Sequence, residues 1–132
     1  MKKIKVEISP ADFLDRLSIL NIKLENFSDE KKKNAVRQAK VCLFVGNLGQ
    51  FNIMNGDTYI RKMYLALQEV NKDIWVLEEE VRKQEPSEDT ADEKANLKTY
   101  QKLTSLNDAR HRIKSKIDSH LKSSIGEEKG YK

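Results

Sequence analysis

The sequence predicts an all-α fold, an antiparallel bundle of three to four long helices with a short N-terminal extended arm. Apolar residues recur at three- and four-residue spacing over long stretches, the mark of helices with one buried face. Only five glycines and two prolines interrupt 132 residues. The chain is 35% charged and 38% hydrophobic, a balance that suits helices with solvated outer faces. Its length fits one domain, large enough to bury a core without staples. With a mean hydropathy of −0.72 that core is lean. Helix-mediated self-association is therefore expected, and the partner is a second copy of the chain.

Residues 1–8 open with Ile4, Val6 and Ile8 alternating with Lys5 and Glu7, an extended arm. A helix is expected over 9–27, with Ser9 as its cap and Pro10 at its first position. Phe13, Leu17, Leu20, Leu24 and Phe27 form one heptad face, while Ile19 and Ile22 point elsewhere. This helix should therefore be central or lie in a subunit interface.

Ser28-Asp29-Glu30 starts a second helix, expected over 29–45, in which Lys31-Lys32-Lys33 is solvated and Val36, Ala39, Cys42 and Leu43 continue the helical pattern. Apolar runs at 41–45 and 51–54 flank the Gly46-Asn47-Leu48-Gly49 break, so a hairpin is an alternative there. Asn55-Gly56 marks a turn and Asp57 caps the helix expected over 57–85. Ile60, Met63, Leu67, Val70, Ile74, Leu77 and Val81 run along it in strict three-four alternation. Pro86 ends it by pushing Glu85 out of the helical region. Tyr100, Leu103, Leu106, Ile113, Ile117 and Leu121 define a last helix over 91–122, and 123–132 reads as a mobile tail.

Charged and amide side chains stand beside these apolar stripes. Arg16 and Lys23 sit on the first helix, Asn71, Glu78 and Arg82 surround Trp75 on the third, and Asn107, Arg110 and Lys114 line the last. Ionised groups at core-like spacing cost several kcal/mol unless paired or coordinated. Two readings follow. The cations pair with Glu78, Glu79, Asp15 and Asp108 as flanking groups, or they converge on an anionic ligand. The sharper expectation is a cytoplasmic binding or assembly protein whose interhelical pocket, built from Arg16, Lys23, Asn71, Trp75, Glu78, Arg82, Asn107, Arg110 and Lys114, takes a small anion. The alternative is a cofactor-free enzyme acting on a carboxylated or phosphorylated metabolite.

Other chemistry lacks partners. Cys42 stands alone among apolar neighbours, the setting of an inert buried thiol, and provides neither a disulfide framework nor a metal set. His111 and His120 lie in a basic helix, and His111 should face solvent. Glu78-Glu79-Glu80 with Glu85 invites a magnesium site, but Arg82 occupies the place of a fourth carboxylate. No metal and no cofactor are expected. The net charge of +4 attracts any anion, and the basic patches at 31–33 and 110–122 lack interleaved aromatics, which argues against nucleic acid. No secretory h-region follows Lys3, and the longest apolar run, Val41 to Val45, is far short of a membrane span.

Two resemblances rest on these residues. Glu7-Ile-Ser-Pro10, Leu14-Asp-Arg-Leu17, Ile22-Lys23, Val70-Asn71, Trp75, Glu78 to Glu80, Arg82, Asn107-Asp-Ala-Arg110, Ile113-Lys114 and Glu127-Glu-Lys-Gly-Tyr131 resemble a small family of helical proteins from bacteria and their phages. That family implies no activity, but it marks the C-terminal tail as more than a frayed end. The inventory of Arg16, Lys23, Arg82, Arg110 and Glu78 is also similar to that of the all-helical chorismate mutases. Those enzymes work by positioning and by cationic stabilisation of a dicarboxylate across a dimer. The loops and spacings do not register with that family's motif, so no catalytic residue is carried over.

Overall fold

The computed structural model describes residues 8–49, 54–83 and 90–128; in the last helix, side chains are described over 93–122. It is all-helical: α1 spans Pro10–Asn26, α2 Glu30–Gly46, α3 Thr58–Lys83 and α4 Thr90–Glu128. No strand occurs among the described residues, and the arm expected over 1–8 lies outside them except for Ile8.

The starts of α1, α2 and α3 each use a local device that the sequence carries. The Ser9 hydroxyl accepts from the Asp12 amide at 3.1 Å, and Pro10 supplies the first turn, where its missing N–H costs nothing. The Asp29 carboxylate accepts from the Lys31 amide at 2.9 Å, and that of Asp57 from the Ile60 amide at 3.1 Å. Ahead of Asp57 the chain turns tightly, the Asp57 amide donating to the Met54 carbonyl at 3.1 Å. Gly56 has φ 91° there, a left-handed geometry that side chains disfavour.

α1 is the hub. It runs antiparallel to α2: Phe27 takes the ammonium of Lys32 over its ring, and Phe13 meets Phe44 edge-on at 5.5 Å. It also runs antiparallel to α4, whose Asp118 accepts from the Ala11 amide at 3.0 Å while Arg110 reaches Asp15 one turn further along α1. α3 and α4 form a hairpin closed by Asp57 and His120, 2.9 Å apart. α1 lies in the groove of that hairpin, so apolar side chains on two sides of it are used. Phe13, Leu14, Leu17, Met54, Ile60, Leu67, Ile117 and Leu121 make the shared core, and Ile22 is buried beyond it.

The helix expected over 29–45 forms and runs through Gly46, so the alternative of a hairpin strand at 41–45 is excluded; residues 50–53 lie outside the described chain. Two expectations change. Cys42 is exposed rather than buried, because among the described elements α2 packs chiefly on α1 and turns most of its surface outward. α4 continues to Glu128, into the segment 123–132 expected as a tail; residues 129–132 are outside the described set.

Gly56→Ala should lower stability by about 1–2 kcal/mol, read as a drop in melting temperature. An added Cβ meets nothing within 4 Å, so the whole cost is backbone strain.

Candidate functional site: an ion-pair core and a cationic cleft

The polar side chains gather in two places. The first is centred on Asp15, which α1 buries to 4% exposure because its neighbours Leu14 and Leu17 face the core. Arg110 of α4 grips this carboxylate with two nitrogens, its Nε donating at 3.0 Å to Oδ1 and its terminal nitrogen to Oδ2. Asn71 of α3 donates at 3.0 Å to the same Oδ1 and lies 3.2 Å from the Ser18 hydroxyl. Lys114, one turn along α4, bridges Asp12 at 2.7 Å and Asp15 at 3.6 Å.

Burial pushes the Asp15 carboxyl up. The hydrogen bonds from Arg110 and Asn71 and the charges of Arg110 and Lys114 outweigh it and hold the group below the usual carboxylate range. The hydrogen bond to Asp15 raises the Arg110 guanidinium in turn. Two carboxylates face two cations here, so this cluster is neutral and has no surplus charge for a ligand.

The second place is a cleft of about 800 Å³ where the end of α1 and the start of α2 meet the last turns of α3. Phe27 and Trp75 form its aromatic wall, their rings 6.1 Å apart and tilted by 60°. Lys23, Lys32, Arg82 and Lys83 stand round it against Glu79 and Glu80, and Arg82 reaches Glu79 at 3.0 Å. A neighbouring groove of about 530 Å³ between α1 and α2 shares Lys23 and adds Arg16 and the exposed Cys42 to an apolar lining.

The residues singled out from sequence thus separate. Asn71, Arg110 and Lys114 meet on Asp15, whereas Lys23, Trp75 and Arg82 meet at the cleft. Arg16 is exposed on the α1–α2 groove. Glu78 is exposed, near enough to Arg110 for its charge to act there, and Asn107 is half-buried. Asp15 and Asp12 are central to the ion-pair core, and Phe27, Lys32 and Lys83 belong to the cleft.

The usable signal for the ion-pair core was the matched spacing: Asp12 and Asp15 three apart on one helix, Arg110 and Lys114 four apart on another. The carboxylate partner of His120 was missed because Asp57 lies 63 positions away. That pair ties the α3 cap to α4, with Tyr59 stacked 4.4 Å from the imidazole. Among the described residues no group of three His, Cys, Asp or Glu is placed to hold a metal, and no helix is long and apolar enough to cross a membrane.

An all-helical chain with a neutral buried ion-pair core and a separate cationic cleft is what the geometry defines. The chain belongs to a family of unknown function, DUF6165, whose model matches residues 4–132. No curated protein matches it, and no solved structure does.

The sign of the Asp15 contribution is fixed by its depressed folded value. Its stabilisation is complete above the unfolded carboxylate value of about 3.9 and is lost as pH falls through the lower folded one. Asp15→Asn should therefore flatten the acid limb of a stability–pH curve below about pH 4. At pH 7 it should cost about 3 kcal/mol, by denaturant melts, because Arg110 loses its partner.

Proposed function

We propose that this is a cytoplasmic helical binding protein whose cleft at Phe27 and Trp75 takes a small anion with a flat, unsaturated portion. One observation carries the reading: four cations surround two aromatic rings in one cleft, against two glutamates, of which Glu79 is engaged by Arg82. An aromatic wall offers stacking and cation–π surface, and the lysines and arginine supply charge-assisted hydrogen bonds to a phosphate or carboxylate. The cleft volume falls within the range of small-molecule sites. The exposed thiol of Cys42 suits a reducing compartment.

Recognition here needs no acid–base or nucleophilic partner. A catalytic version of the same site would work by cationic stabilisation of a carboxylated or phosphorylated metabolite.

Trp75 is the only tryptophan, so its fluorescence reports the cleft directly. Phenyl phosphate should quench or shift it saturably and raise the melting temperature. Inorganic phosphate should act more weakly and benzyl alcohol not at all. Arg82→Ala should weaken phenyl phosphate binding about tenfold, the scale of one charged hydrogen bond. Emission that responds to acrylamide but to no anion would rule the reading out.

A further inference from the structure

The outward face of α3 carries a pattern that the monomer does not use. Ile60, Leu67, Asn71 and Ile74 point into the bundle. On the opposite side, Lys62, Leu65, Glu69, Lys72, Val76 and Glu79 follow one another at alternating three- and four-residue spacing, a second heptad stripe. Leu65 and Val76 are each 56% exposed, large apolar side chains held in water. Among the described residues Lys62, Glu69 and Lys72 have no partner within the chain, whereas Glu79 is paired with Arg82.

The order of types along the stripe is base, apolar, acid, base, apolar, acid. Reversed, it is its own complement.

We propose that this stripe is the contact between two copies of the chain, packed α3 to α3 about a two-fold axis with the helices antiparallel. In that arrangement Lys62 faces Glu79 of the other copy, Leu65 faces Val76, and Glu69 faces Lys72; the two-fold repeats each pair. Layers in antiparallel helix pairs form between positions of this kind, and an isologous contact requires such self-complementarity. A parallel pair would set Glu69 on Glu69 and Lys72 on Lys72, like charge on like, so the charges select the direction. Only the Leu65–Val76 layers bury substantial apolar surface, so the dimer is a dissociable one that salt weakens.

The contact also bears on the cleft without depending on it. Val76 and Glu79 line both surfaces, so docking seats Lys62 of the second copy beside Glu79 and adds a cation at the cleft rim.

Sedimentation equilibrium at low ionic strength tests the arrangement. The wild type should approach twice the 15.3 kDa chain mass as concentration rises. Glu69→Lys and Lys72→Glu should each weaken association about tenfold or more, since every charged central layer becomes like-charged. The double variant carrying both exchanges should recover the dimer, because the stripe is again its own complement. All these positions are on the surface, so circular dichroism should be unchanged. As an independent check, Leu65→Cys with Val76→Cys in a Cys42→Ser background should oxidise to a covalent dimer. A wild type that stays at 15.3 kDa at every concentration would overturn the proposal. So would single exchanges that leave association intact, or a folded double exchange that fails to restore it.

Discussion

Asp15 is 4% exposed, and a carboxylate that far from water survives ionised only where protein donors replace its hydration shell. Here the donors come from two other helices: a two-nitrogen contact from Arg110 of α4 and an amide from Asn71 of α3. The geometry requires that α1, α3 and α4 be in register to within a hydrogen bond. Slippage by one turn would leave a buried charge unpaired, at a cost of several kcal/mol. Apolar packing of Phe13, Leu17 and Leu67 pulls the helices together without direction. The carboxylate supplies the direction, and Lys114 between Asp12 and Asp15 extends the constraint over another turn of both helices.

That constraint positions the rest. With α1 seated in the α3–α4 groove, its C-terminal end brings Phe27 against Trp75, and α2 folds back from there with Lys32 over the Phe27 ring. The cleft is thus a consequence of where α1 stops. α1 has 17 residues and α3 has 26, so the last turns of α3 run on beyond the end of α1, and Trp75, Arg82 and Lys83 border the cleft instead of core. Among the described residues, Ile60, Leu67, Asn71 and Ile74 are the α3 side chains buried in the bundle, while Leu65 and Val76 on its other side stay 56% exposed.

Helical periodicity made much of the fold legible in the sequence. The heptads of α3 and the caps at Ser9, Asp29 and Asp57 are local signals, and local signals survive without tertiary context. The polar stripes were legible as stripes, but whether a cation there meets an acid or a ligand depends on residues far off in sequence. Arg110 is 95 positions from Asp15, so the matched spacings on the two helices mark the candidates without saying that they meet. Cys42 shows the converse error: apolar neighbours in sequence imply burial only if another element covers that side of the helix, and none of the described ones does. The cleft was half visible, through Lys23, Trp75 and Arg82. Of its other cations, Lys32 read as solvated and Lys83 was not singled out, because nothing local says that two helix ends adjoin.

One buried carboxylate and one guanidinium, those of Asp15 and Arg110, are coupled across the bundle. A double-mutant cycle over Asp15→Ala and Arg110→Ala, read by denaturant unfolding at neutral pH, isolates that coupling. An interaction of at least about 1.5 kcal/mol is expected, with the double variant less damaged than the two single losses added together. Losses that add to within about 0.5 kcal/mol would show that the two side chains act independently, and the ion-pair core would not be what sets the register of the helices.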